Sequence, residues 1–488
     1  MGTGVGWDGM ATNTRQRAYD AVVVGAGPNG LAAAIRLAQA GKRVLLVERR
    51  AMVGGALASA EVTLPGFIHD LGSAIHPLGL GSPFLRSLPL AAYGLRWIHP
   101  PAAVAHPLDD RPAVLLQRSI AQTAAELGGD ERAYRWLMTP LVRGWDAIAA
   151  ATLAPLIPPR HPLVLGAFGV VAGLPASTLA ALLFREPAAR ALIAGLAGHS
   201  VLPLEALASA SFGLVLGALG HVVGWPFPAG GAQQLANAMA DYFRDLGGEI
   251  ATNWEIHSLD DLPRASATLL DVTPRQLLDL AGDRFPEQYR RALARYRYGP
   301  GAFKIDWALA GPIPWADPRC LRSATIHLGG ALEEIAAAER QVNQGQLPER
   351  PYVLLAQHSL FDPSRAPAGQ QTAWAYCHVP NGSQVDMTNQ IEDQIERFAP
   401  GFRRQILARY VSSPAALQAW NPNLVGGDVG GGSQDLWQVL ARPVISTAPY
   451  RTPLAGVYLC SSSTPPGGGV HGMCGWHAAN CALSDMMS

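Results

Sequence analysis

Short unbroken apolar runs and amphipathic stretches alternate near the start of the chain. Ala21 to Val24 are four consecutive apolar residues, the pattern of a parallel strand covered on both faces. Leu31, Ala34, Ile35 and Ala38 then recur at i, i+3, i+4 and i+7, which predicts a helix closed by a left-handed residue at Gly41. Arg43 to Val47 reads as a second buried strand and runs into Glu48. Between the first strand and the helix lies Gly25-Ala26-Gly27-Pro28-Asn29-Gly30, so the segment is a βαβ unit with a glycine-rich turn.

Similar elements return far along the chain. Gly230-Gly231 leads into a helix with Leu235, Met239, Phe243 and Leu246 on one face, then Gly247-Gly248 and a strand-like stretch from Glu249 to Ile256. Ala267 to Val272 and Gly456 to Cys460 read as further buried strands; the latter enters a Ser- and Gly-rich loop, followed by a helix carrying Met473, Trp476 and Leu483. The economical architecture is α/β. One nucleotide-binding domain is assembled from discontinuous segments 18–75, 224–275 and 445–488. An α+β substrate-binding domain comprises 76–223 and 276–444, and 1–17 is a loose tail.

Residues 162–184 carry no charge, which meets the length criterion for a membrane span, but Pro175 and three glycines interrupt the run. The stretch 191–225 contains Glu205, His199 and His221. Buried or cavity-lining helices are the expectation for both, since Arg160 and Arg185 flank the first run symmetrically. The alternative is an apolar substrate chamber or a peripheral membrane contact.

The chain has 488 residues, 37 basic and 37 acidic, so it lacks the basic excess of a nucleic-acid binder. Its 49% hydrophobic content excludes disorder. Five scattered cysteines with no C-x-x-C form neither a disulfide framework nor a metal site, and cytoplasmic residence is the default expectation.

The glycine turn has a mechanical reading. Gly25 permits the tight turn, Gly27 lets a pyrophosphate approach the backbone, and Gly30 lets helix and strand pack closely with the helix N-terminus facing the negative charge. Glu48 follows Gly30 at about the 20-residue spacing of an acid that binds a ribose hydroxyl. These features specify a dinucleotide without deciding between FAD and NAD.

The segments Val22 to Glu48, Val53 to Ser59 (VGGALAS), His69 to Leu78, Gly224 to Ala240, Cys377 to Ser383, Asn421 to Leu436 and Ser463 to Ala479 resemble the phytoene desaturase-like, or phytoene dehydrogenase-related, FAD-dependent oxidoreductases. The resemblance implies a Rossmann-type, glutathione-reductase-like FAD domain. It implies that Gly25, Gly27, Pro28, Asn29, Gly30, Glu48 and Arg49 hold the ADP half of FAD, and that Gly54, Gly55, Ala56 and Leu57 lie at the pyrophosphate. It also implies that Gly468, Gly469, Val470, His471, Gly472 and Met473 lie beside the flavin ring. Relatives often carry arginine where this chain has Ala56, so a charge contact there must come from elsewhere or be missing.

In such enzymes the cofactor is the reactive centre and the protein orients, shields and polarises it. No catalytic triad elbow, P-loop or zinc motif is present in the sequence. Catalytic side chains are not identified; His471, Tyr376 and His199 are the candidates, and His76, His221, Lys304, His378, Asp435 and Trp225 could line the substrate path. A single dinucleotide fingerprint favours oxidation of an apolar or amphipathic, isoprenoid-like or acyl, small molecule, with oxygen or a quinone as acceptor. The alternatives are a flavin amine oxidase, which 7% aromatic residues make harder to furnish, and a non-redox FAD-dependent isomerase or assembly protein. Oligomeric state stays open.

Overall fold

A computed structural model of the protein describes residues 18–156, 158–159 and 161–487. The tail 1–17 and the Arg160 flank lie outside the described residues.

Two sheets organise the molecule. The first has five strands, all parallel, in the spatial order Val457–Leu459, Ala267–Leu270, Ala21–Val24, Val44–Val47 and Glu249–Ala251. Ala21–Val24 and Val44–Val47 are buried throughout, as their unbroken apolar runs require. The strand expected over 249–256 stops at Ala251, because the chain turns at Asn253, which takes a left-handed φ of 54°. Helix Pro28–Gln39 starts with proline, whose fixed φ suits a first helical turn, and packs between helices Met473–Met487 and Gln233–Asp245. The packing is tight: a Cβ on Gly475 would meet the Asn29 carbonyl oxygen at 1.8 Å.

The second sheet has seven strands in the order Ile406–Ser412, Gly301–Leu309, Gln371–Val379, Val353–Ala356, Thr325–Leu328, Ala102–His106 and Val114–Gln117. It is mixed, with Thr325–Leu328 parallel to Ala102–His106 and its other neighbours antiparallel. Strand alternation decides what this sheet presents. Ala373, Ala375, Cys377 and Val379 enter an apolar core with Phe303, Ile305 and Trp307. Trp374, Tyr376 and His378 therefore share the opposite face with Ala302, Lys304 and Asp306, and Lys304 pairs directly with Tyr376.

The charge-free run forms helices Pro162–Ala172 and Ala176–Leu183, bent by 77° against each other. Among the described residues no single helix is long and apolar enough to cross a membrane. Burial of this run holds only in part: on the first helix Leu163 is 87% and Val170 74% exposed, because neighbours cover only Phe168 and Ala172, whereas Ala176, Leu179 and Ala180 of the second are buried. The second weakly charged stretch does form buried helices, Pro187–Gly198 and Ser209–Val222.

Candidate functional site

The glycine turn folds as close approach dictates. Gly25 has a φ of 95°, and a Cβ on Gly30 would lie 1.8 Å from the Gly25 carbonyl oxygen. A Cβ on Gly55 would lie 2.8 Å from the Gly27 Cα, and the Gly54 N–H donates to the Ala26 carbonyl at 2.8 Å, so the two glycine turns stand back to back. Glu48 is 6% exposed; its carboxylate accepts the N–H of Ala26 at 2.8 Å and of Arg50 at 3.0 Å. Asn29 Oδ1 is buried without a hydrogen-bond partner among the described residues. Bare backbone at a helix N-terminus, a carboxylate at the next strand end and an orphaned polar atom suit a dinucleotide.

A cavity of about 650 Å³ runs from this turn into the second sheet. Such a volume is that of a cofactor-sized site. At the nucleotide end it is lined by Gly25, Gly27, Pro28, Asn29, Glu48, Arg49, Gly55 and Ala56, with Trp254 to His257 beside them. Its middle is bounded by Ser73 to Leu78 and by Gly469 and Val470, and its far end by Leu216, Trp225, Leu354, Trp374, Tyr376 and His199. Gly30, Gly54 and Leu57 stand behind the wall, with Leu57 fully buried.

Sequence reasoning missed two charged residues here. Arg50 lines the cavity, donates to the Gly55 carbonyl at 2.8 Å and lies 5.0 Å from the Trp420 ring. It supplies a guanidinium beside the glycine pair, where Ala56 supplies none. Asp271 ends the strand next to the turn and accepts the Gly30 N–H at 3.0 Å. Burial pushes its pKa up to about 7 against the pull of that N–H, and the Glu48 carboxylate adds to the rise. The signal in the sequence was an acid directly after the apolar run ATLL.

His471 presents no free ring nitrogen. It is buried, its Nε2 lies 3.2 Å from the Gly467 carbonyl, and its Nδ1 accepts the Met473 N–H at 3.0 Å. Both ring nitrogens are thus used to close the loop onto helix Met473–Met487. Gly468 and Gly472 shape the same loop: a Cβ on Gly468 would meet the Gly430 carbonyl at 2.6 Å, and Gly472 has a φ of 68°.

The other candidates divide by position. Tyr376, His199, His76, Lys304 and Trp225 line the cavity. Lys304 pairs with the buried Asp306 and stands 5.5 Å from the Trp374 ring centroid. Burial pulls His76 down to about 4, so its imidazole is neutral near pH 7. His378 lies behind Tyr376, its Nδ1 at 2.8 Å from Glu339. His221 bonds the Tyr134 hydroxyl, away from the cavity, and Asp435 caps a short helix and pairs with Arg297. Although aromatic residues are few, Trp374 and Tyr376 stack at 5.8 Å and 23° on the cavity wall. The described residues hold no group of three or more metal-binding side chains. No two of the five cysteines are bonded to each other.

Comparison with known proteins agrees with this geometry. Residues 23–87 match the model of the NAD(P)-binding Rossmann-like domain. Pyridine nucleotide-disulfide oxidoreductase domain-containing protein 2 of Mus musculus is 27% identical, over 96% of this chain and 94% of its own length. Phytoene dehydrogenase of Streptomyces griseus is 30% identical, over 74% of this chain and 73% of its own. In fold, putrescine oxidase bound to putrescine superposes with a TM-score of 0.61 over 97% of this chain and 100% of its own, at 18% identity. With the glycine turn, the acidic strand end and the mixed second sheet in place, the chain belongs to the phytoene dehydrogenase-like family of FAD/NAD(P)-binding, Rossmann-type oxidoreductases.

Proposed function

We propose that the protein is an FAD-dependent dehydrogenase or desaturase that takes a hydride from an apolar or amphipathic small molecule. The observation that supports this is the continuity of one cavity, from the Glu48 carboxylate and bare glycine backbone to a chamber walled by Leu216, Trp225, Leu354 and Trp374. Glu48 would hold the ribose, the Gly25 to Gly30 turn and Arg50 the pyrophosphate, and the backbone of Gly469 and Val470 the flavin ring. Bound there, FAD supplies a two-electron acceptor.

The chain's own residues do the rest. The apolar walls exclude water from the reacting carbon and strengthen every polar contact inside. Lys304 places a cation beside the Trp374 face, held by Asp306. One dinucleotide fingerprint and no bonded cysteines favour oxygen or a quinone as the final acceptor. A cytoplasmic protein touching a membrane through the exposed Leu163 and Val170 face fits an apolar substrate. A flavin amine oxidase is the second reading, favoured by the stacked Trp374 and Tyr376 on the chamber wall.

The test is the visible spectrum of the purified protein, followed by anaerobic mixing with isoprenoids, acyl compounds and amines. Bound flavin bleached by one of the first two classes is expected; bleaching by amines alone selects the second reading. A colourless protein that cannot be reconstituted with FAD overturns both. Glu48→Ala should lower flavin occupancy, and unchanged occupancy would remove Glu48 from the site.

A further inference from the structure

Two buried acids close on one helix N-terminus. Glu48 follows strand Val44–Val47 and Asp271 follows strand Ala267–Leu270, and both strands pair with Ala21–Val24, which leads into the glycine turn. The side chains take donors from that turn. The Glu48 carboxylate accepts the Ala26 N–H at 2.8 Å, and Asp271 Oδ2 accepts the Gly30 N–H at 3.0 Å. Asp271 Oδ2 also lies 3.0 Å from where a Cβ on Gly27 would sit, so this carboxyl stands against the glycine whose bareness admits a diphosphate. Its other oxygen makes no hydrogen bond among the described residues, on a side chain that lines the cavity.

The helix has little left to offer an anion. A helix N-terminus normally presents several unpaired N–H groups. Here Pro28 has none, the Gly30 N–H goes to Asp271 and the Leu31 N–H to the Gly27 carbonyl at 2.9 Å, so of these first helical residues Asn29 alone keeps a free amide among the described residues. Compensating charge is also scarce. Arg50 lines the cavity, but its guanidinium lies 3.9 Å from Glu48 and bonds the Gly55 carbonyl. Around Asp271 the other packed elements bring the Cys460 and Cys474 thiols, which burial pushes up and keeps uncharged, and Asn423, whose amide donates to the Asp271 carbonyl at 2.9 Å. Glu48 thus has two N–H donors and a cation, whereas Asp271 has one N–H and no ion pair among the described residues. Like charges in a dry site cannot all stay ionised, and the less compensated one takes a proton. Burial and the Glu48 charge already raise the Asp271 pKa to about 7.

We propose that Asp271 binds the diphosphate of FAD as the neutral acid, its free oxygen donating the hydrogen bond that the helix no longer supplies, so that cofactor binding and protonation of this side chain are one coupled event. The proposal rests on the reading of this turn as the FAD site. The proton comes from solvent, goes to the Asp271 carboxylate, and no covalent bond of the cofactor changes. Below about pH 7 the proton is already in place; above it the proton must be taken up on binding, and affinity falls by up to about tenfold per pH unit.

The experiment is release of FAD from the diluted holoprotein between about pH 6 and 8.5, where the diphosphate itself neither gains nor loses a proton, read by the fluorescence of free flavin. Far-ultraviolet circular dichroism is recorded alongside. The wild-type dissociation constant should be flat up to about pH 7 and then climb. Asp271→Asn should stay flat throughout, because its oxygen still accepts the Gly30 N–H and its amide donates without titrating. A second measurement needs no variant: calorimetry of FAD binding to the wild type near pH 8, in buffers of different ionisation enthalpy, should show proton uptake. An affinity independent of pH, a variant curve parallel to the wild type's, no proton uptake, or release that tracks a loss of dichroism would overturn the proposal and leave the cofactor reading standing. A protein that binds no FAD at any pH overturns both.

Discussion

Asp271→Asn is expected to stabilise the protein increasingly as pH rises. In the native protein this carboxyl is buried next to Glu48, with Cys460 near it, and binds its proton with a pKa of about 7 instead of the ordinary 3.8. The native state therefore holds the proton more tightly than the unfolded chain. The linkage sign follows: stability falls as pH rises from about 4 through 7, and the whole cost is present above 7. That difference in affinity corresponds to about 4 kcal/mol, a ceiling that is large against the stability of an ordinary domain. Asparagine cannot ionise, yet its side-chain oxygen can still accept the Gly30 N–H that Asp271 accepts at 3.0 Å. Urea unfolding of wild type and variant, both saturated with FAD, should give a gap that is small at pH 5 and widens to pH 8, with the variant more stable. Parallel pH profiles, or a variant less stable at pH 8, would refute the reasoning.

Gly30→Ala puts a Cβ 1.8 Å from the Gly25 carbonyl and should abolish flavin retention, whereas Gly166→Ala, with nothing within 4 Å, should leave flavin per mole of protein unchanged. Arg365→Met leaves the buried Asp70 without the guanidinium 2.9 Å away and should cost about 3–5 kcal/mol, seen as a lower melting temperature. Burial alone would push Asp70 up, but Arg365 and His358 hold it below the usual carboxylate range, so this part of the stability is lost as pH falls, the reverse of Asp271. Replacing both Leu163 and Val170 by Asp should reduce pelleting with liposomes without loss of folding, since neither is buried; equal pelleting would remove the membrane contact.

The first βαβ unit was legible in the sequence because each part has a local cause. A strand covered on both faces must be continuously apolar, and a turn under 3 Å from its neighbours must be glycine. Glu48 was readable by its spacing from that turn. The charge-free run over 162–184 was not, because apolarity does not say which side a neighbour covers. His471 was ambiguous until the Gly467 carbonyl and the Met473 N–H were seen to occupy both its nitrogens. His327 had no signature at all: its Nε2 comes 3.0 Å from His199 Nε2 across 128 residues of sequence, a separation that no local pattern spans. Tyr376 and His378 were both singled out in the sequence, and the alternation of Gln371–Val379 gives the reason they share one face with Trp374.

The strand order of the parallel sheet also sets a time. Ala21–Val24 lies at its centre, but its neighbour Ala267–Leu270 and the edge strand Val457–Leu459 are made much later, and helix Met473–Met487 closes over Asn29 last. At about 5–20 residues per second, strand Ala21–Val24 can pair with Val44–Val47 almost at once but waits many seconds for its other neighbour, Ala267–Leu270. The dinucleotide end of the cleft is therefore complete only once helix Met473–Met487 has been made and has packed against Asn29, and that helix is its latch.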